Sequence, residues 1–223
     1  MSVSGGGEIE IQAGQAALPG YLARPAQGSG RGVLVLHEAA GPDDFTRDAC
    51  DRLARAGFAA LAPDLSRGCE AKVGSCAGLE AERVGEDLEA ALEQLVRDHS
   101  VTGTRVGAVG FCLGGHLALV AASLSSRVGA VVDFYGLGDQ PADLGALSAP
   151  VLGIFAGDDE AMASPQIAAL RSDLEAAGVR AHLRVEPGVR HGFMNPARAE
   201  HFDAVAAAAS WDRMLAFLRA ELA

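Results

Sequence analysis

Basic residues are scarce in this chain. Its 223 residues hold 18 Lys and Arg against 29 Asp and Glu, for a net charge of −11. An acidic chain without a basic stripe is a poor fit for nucleic acid or an anionic membrane surface. Long apolar runs are missing too. The longest near the middle, Leu117 to Ala122, is far too short to span a bilayer. The N-terminal stretch Met1-Ser2-Val3-Ser4-Gly5-Gly6-Gly7-Glu8 lacks the basic and apolar regions of a secretory signal, so the expected setting is cytoplasmic. Cysteine is sparse. Cys50, Cys69, Cys76 and Cys112 do not form the paired spacing of a zinc site, and reduced thiols are expected, although Cys69 and Cys76 are close enough in sequence to pair. No metal constellation is present, and Gly110-x-x-x-Gly114-Gly115 has the wrong spacing for a phosphate loop, so no cofactor is expected. Repeats, low-complexity tracts and interdomain linkers are also missing, so residues 1–223 read as one domain.

What is present is a regular alternation. Apolar residues make up 49% of the chain, enough for a substantial core. Continuous apolar runs at Val33–Leu36, Phe58–Ala62, Val106–Val109, Ala130–Phe134 and Val151–Phe155 predict strands buried on both faces. Half-polar patterns predict edge strands at Glu8–Gln12 and His182–Val185, with Gly20–Arg24 as a hairpin partner across a long loop. Helical patterns fall between them, at Asp44–Ala56, Glu80–Asp98, His116–Leu124, Pro165–Ala177 and Phe202–Leu222. The alternation predicts a doubly wound, mostly parallel α/β sheet, whose ligands bind beyond the carboxyl ends of the strands. The polar residues placed there are His37, Glu38, Asp64, Cys112, the run Asp158-Asp159-Glu160, and His191. Ser66–Ala81, the longest irregular segment, falls where it can cover that rim.

The densest signal is Gly110-Phe111-Cys112-Leu113-Gly114-Gly115, directly after a buried strand and opening a helix. A strand–turn–helix of this kind lifts one side chain above the sheet, with glycines where a Cβ would collide. The raised residue is Cys112, a strong nucleophile as the thiolate. Cys112, then Asp159 or Glu160, then His191 follow the chain order nucleophile, acid, base of an α/β-hydrolase. The loop holding Glu38 and Ala39 and the residue after the nucleophile, Leu113, are expected to supply two backbone N–H groups of an oxyanion hole. His99, His116, His182 and His201 read as structural or solvated residues.

Gly110-Phe111-Cys112-Leu113-Gly114-Gly115, His37-Glu38, Pro63-Asp64-Leu65 and His191-Gly192-Phe193 together resemble the dienelactone hydrolase family of α/β-hydrolases, from about Gly20 to the C-terminus. The resemblance implies a Cys–His–acid triad built on Cys112 and His191. It also implies that Glu38 interacts with the resting thiol and takes part in its activation. The family acid lies three residues after a strand-end glycine; counted from Gly157, that is Glu160, with Asp159 one step before. In the founding enzymes, arginines hold a substrate carboxylate, one of them four residues after the histidine. Asn195 stands there in this chain, and Arg67 or Arg83 would be the other. The expected activity is hydrolysis of small esters or lactones through a thioester acyl-enzyme, by a monomer or homodimer. The alternatives are a carboxylesterase or thioesterase on the same scaffold, and a non-catalytic redox-sensing protein that uses Cys112.

Overall fold

The computed structural model describes residues 6–67, 81–136, 138, 142–162 and 164–223. Cys69, Cys76 and most of the Ser66–Ala81 segment lie outside them. The strands are β1 (Gly7–Ala13), β2 (Ala16–Ala23), β3 (Gly32–Leu36), β4 (Ala59–Pro63), β5 (Val106–Phe111), β6 (Val128–Phe134), β7 (Val151–Ala156) and β8 (Ala181–Glu186). They form one eight-stranded sheet in the order β1-β2-β4-β3-β5-β6-β7-β8. Only the β1/β2 and β2/β4 pairs are antiparallel. The α-helices are α1 (Asp44–Arg55), α2 (Ala81–Arg97), α3 (Leu113–Leu124), α4 (Ser164–Ala176) and α5 (Ala204–Glu221). This is the expected doubly wound α/β architecture.

The five continuous apolar runs became β3 to β7, and every residue of those strands is buried. A strand with helices on both faces has no solvated side, so polar alternation has nothing to stabilise it. The helices α2, α3 and α4 bury Leu88, Leu92, Leu117, Ile167 and Leu174 on one face. The other face takes Phe45 and Leu53 of α1 and Trp211, Met214 and Leu218 of α5. Arg52 of α1 stacks on Trp211 at 3.7 Å, which couples the two helices of that layer.

The first hairpin is tighter than expected. β2 begins at Ala16, and the turn needs only Gly14, at φ +61°, and Gln15. Proline cannot donate to a ladder, yet Pro19 lies within β2. It is accommodated because pairing of β2 with β4 starts at the next residue, Gly20 against Pro63. The Pro19 carbonyl instead accepts from the Asp64 amide at 2.7 Å.

Candidate active site

The parallel strands end on one rim, and the polar residues that follow them converge there. β5 runs directly into α3, with Cys112 as the single residue between. Its backbone sits at φ 54°, ψ −120°, a region that costs a non-glycine residue roughly 1–3 kcal/mol. Two observations explain why the strain persists. The Cys112 amide donates to the Phe134 carbonyl at 3.0 Å, and the Cys112 carbonyl accepts from Gly115 at 2.9 Å. The glycine frame permits the close approach: a Cβ on Gly110 would overlap the Gly114 carbonyl, and one on Gly114 would overlap the Leu36 carbonyl.

The sulfur of Cys112 rests against the backbone amides of Leu113 and Ala39, the two donors expected for an oxyanion hole. Burial, and then the Glu38 carboxylate, push the thiol up to about 11. Both effects disfavour the charged form, and they outweigh the opposing pull of the amides and Arg198. The resting side chain is therefore a neutral thiol at pH 7.

His191 lies in the loop between β8 and α5. Its Nδ1 is 2.8 Å from Asp159 Oδ2, with the carboxylate side chain fully buried and the imidazole 14% exposed. Asp159 Oδ1 accepts from the amides of Ala161 and Met162 at 2.8 and 2.9 Å. An Nδ1–H donated to the carboxylate leaves Nε2 as the acceptor. Counting from Gly157 favoured Glu160, but that residue is exposed. The turn after β7 folds Asp159 inward around its own loop amides, and this directs Oδ2 at the ring. The two strand ends are also tied to each other, by Gly157 N to Glu186 O at 2.8 Å and Asp158 N to Val189 O at 2.9 Å.

Two supports of His191 gave no signal in the sequence. Tyr135, at φ 43°, sets its ring edge-on to the imidazole, with centroids 5.0 Å apart. His201, read as structural, places Nδ1 2.8 Å from the His191 carbonyl and so holds the backbone of that loop.

Glu38 is buried, and its Oε2 gathers Asn195 Nδ2 at 2.9 Å and Arg198 Nε and Nη2 at 3.2 and 3.1 Å, while Oε1 has no hydrogen-bond partner among the described residues. Asn195 is thus committed to Glu38, with Asp43 Oδ2 at 3.4 Å, rather than open to a ligand. Arg198, seven residues after His191, stands outside the position four residues on and carries no signal in the sequence. Its side chain is 38% exposed at this rim. Neither expected arginine is placed to do the same. Arg67 pairs with the buried Asp87 and the Ala17 carbonyl, and Arg83 is exposed at the start of α2. His37 is structural: Nδ1 donates to the Glu38 carbonyl at 2.6 Å, Nε2 accepts from Leu65 at 3.1 Å, and burial lowers its pKa. No cluster of metal-binding side chains occurs among the described residues. Among them, also, no helix is long and apolar enough to cross a membrane.

Comparison with known proteins places this geometry in context. The sequence profile described as the Dienelactone hydrolase family matches residues 18–222. The chain is 30% identical to Protein usf of Aquifex pyrophilus, over 95% of this chain and 96% of that one. It is also 30% identical to the protein named "Putative carboxymethylenebutenolidase" of Aquifex aeolicus strain VF5, over 96% and 98%. A dienelactone hydrolase-like promiscuous phosphotriesterase from metagenomic libraries superposes with a TM-score of 0.85 at 26% identity, covering 97% of this chain and 98% of that one. The dienelactone hydrolase of Anabaena variabilis, at 24% identity and TM-score 0.74 over 97% and 99%, shares the fold.

Proposed function

The chain belongs to the dienelactone hydrolase family, and from that premise we propose that it hydrolyses small esters or lactones with Cys112, His191 and Asp159 as a catalytic triad. The observation that carries this reading is the convergence of the Leu113 and Ala39 amides on the Cys112 sulfur, on the same sheet rim as a histidine already oriented by a buried carboxylate. The sulfur occupies the place a carbonyl oxygen needs, so the first event is rotation of the Cys112 side chain toward His191. Nε2 takes the thiol proton and the thiolate attacks the ester carbonyl carbon. The oxyanion that forms moves into the two vacated amides, which are pre-aligned for it. Collapse breaks the C–O bond, His191 returns its proton to the departing alkoxide, and a thioester remains on Cys112. Water then gives a proton to His191 and attacks the thioester, and the acid departs as the Cys112 thiol is restored.

Burial, and after it like-charge repulsion from Glu38, keep the free thiol protonated, which suits a reduced, cytoplasmic setting and spares the thiol from oxidation. The same protonation argues against a redox sensor, whose cysteine needs thiolate character. Arg198 is the cation through which an anionic substrate group would compete with Glu38.

The test is a panel of p-nitrophenyl esters, lactones with and without a carboxylate, and thioesters, each with the wild type and Cys112→Ala. Loss of turnover by about 10⁴-fold or more in the variant is expected for removal of a covalent nucleophile. Activity untouched by Cys112→Ala would overturn the reading. The preferred substrate class separates a lactonase from a general carboxylesterase or thioesterase.

A further inference from the structure

Among the buried ionisable groups that the mechanism does not use is a carboxyl of β6. Asp133, next to last in β6, is 1% exposed. The register sets it beside Gly110 of β5 and Gly153 of β7, so neither flanking strand offers it a side chain. The carboxyl is wedged between two backbones instead: a Cβ on Gly115 of α3, or on Gly136 in the turn after β6, would overlap it. It accepts a hydrogen bond from the Gly136 amide, while Oδ1 has no hydrogen-bond partner among the described residues. Among the described residues no charged side chain acts on it. The titratable neighbours in the elements packed here are Cys112 and His116 around the start of α3 and Tyr135 in the turn; β5 and β7 contribute glycine.

These contacts join two working parts of the site. The Gly136 amide closes the turn that holds Tyr135 at φ 43° with its ring against His191. Gly115 belongs to the first turn of α3, two residues beyond the Leu113 amide. Building on the proposed hydrolysis, we propose that Asp133 is a positioning residue that works as the uncharged acid: it braces the turn after β6 against the start of α3, and loss of its proton turns the site down. The sign follows from charge. A carboxylate here would put negative charge under the same helix start whose amide must donate to the oxyanion, and would disfavour the Cys112 thiolate as well. Burial raises the Asp133 carboxyl to about 7, so the proton is exchanged in the neutral range, well below the thiol.

The experiment compares wild type, Asp133→Asn and Asp133→Ala from pH 5.5 to 9. It reads kcat and KM on the best ester of the panel, Cys112 alkylation by iodoacetamide, and the infrared carbonyl stretch of a protonated carboxylic acid. Asn keeps an acceptor for Gly136 and is always uncharged. The wild type is expected to lose kcat as pH rises through about 7, and Asp133→Asn to hold its kcat across that range and to alkylate faster above it. Asp133→Ala should lose roughly tenfold or more in kcat at every pH with KM little changed, and Asn should rescue most of that loss. The acid carbonyl band should be present in wild type at pH 6, absent at pH 9, and absent from Asp133→Asn at both. Superimposable pH profiles for wild type and Asp133→Asn, or a band unaffected by the substitution, would overturn the proposal. Should Asp133→Ala fail to fold, the Asn variant decides alone. Should no ester be hydrolysed, the hydrolase reading fails, and the band and the alkylation rates still settle the state of Asp133.

Discussion

At the scale of single residues, the proposed mechanism separates groups that react from groups that hold them. Asp159 carries the oxygen at 2.8 Å from His191, and Glu160 faces solvent. Asp159→Asn should therefore lower kcat by about 10³–10⁴-fold by removing the charge that selects the tautomer, while Glu160→Gln stays within about twofold. A steady-state assay of both variants checks this, and equal losses would reassign the acid. In that mechanism Glu38 acts on the thiol rather than on the substrate. Since burial and Glu38 together raise Cys112 to about 11, Glu38→Gln removes the second effect, lowers the thiol and accelerates iodoacetamide alkylation at pH 8; unchanged alkylation would leave burial as the whole cause. The sequence marked Cys112, His191 and Glu38 because each follows a recognisable strand or sits in a glycine-marked turn. It did not resolve Asp159 from Glu160, because one residue of loop geometry decides which of two adjacent carboxylates turns inward. Nor did it mark Arg198, whose contact with Glu38 spans 160 positions of chain and is made by tertiary packing alone.

At the scale of elements, the turn from β5 into α3 depends on glycines more than on the cysteine. Gly114 lies where α3 crosses the end of β3, and a Cβ there would meet the carbonyls of Leu36 and His37. Relief requires moving α3 away from the loop that carries Ala39, which widens the gap between the two amides. Gly114→Ala is thus expected to cost about 10²–10³-fold in kcat, comparable to loss of one oxyanion-hole donor, together with a lower Tm. A fall in Tm with kcat intact would show that the loop follows the helix. The N-terminus of α1 is bound to the same neighbourhood: Asp43 caps Thr46 through Oδ1 and reaches Asn195 through Oδ2. Elements of this kind were easily read. Strands buried on both faces appear as unbroken apolar runs, and the helices between them end at glycines such as Gly57, at φ 97°. The β1–β2 hairpin was less legible, since β2 runs back from the expected start at Gly20 to Ala16 and so includes Pro19, a strand breaker in most settings. Only the late start of the β4 pairing makes room for it.

At the scale of the whole molecule, two buried carboxyls pull stability in opposite directions with pH. Burial alone would raise Asp98, but hydrogen bonds from Arg24 and Ser100 outweigh it and bring the group down to about 2. A depressed carboxyl contributes stability above its unfolded value, near 4, and loses it as pH falls toward 2. Asp133 behaves in the opposite sense. Raised by burial to about 7, it binds its proton more tightly in the folded chain than in the unfolded one, so its effect becomes unfavourable as pH climbs from about 4 to 7. A net charge of −11 adds self-repulsion on that same alkaline side. The resulting stability curve should rise from pH 2 to a maximum near pH 4–5 and then decline, a lower optimum than the usual range of about 5 to 8. Urea unfolding at intervals from pH 3 to 8 tests each limb separately. The wild type should lose of the order of 4 kcal/mol relative to Asp133→Asn between the two ends, at about 1.4 kcal/mol for each unit by which the folded carboxyl is raised. Asp98→Asn, which removes the Arg24 partner, should flatten only the acid limb, with a smaller effect because Arg24 is 42% exposed. Curves for wild type and Asp133→Asn that run parallel across the range would mean that the carboxyl titrates in the folded protein as it does in the unfolded chain, near 4, and that the α3 start tolerates its charge at neutral pH.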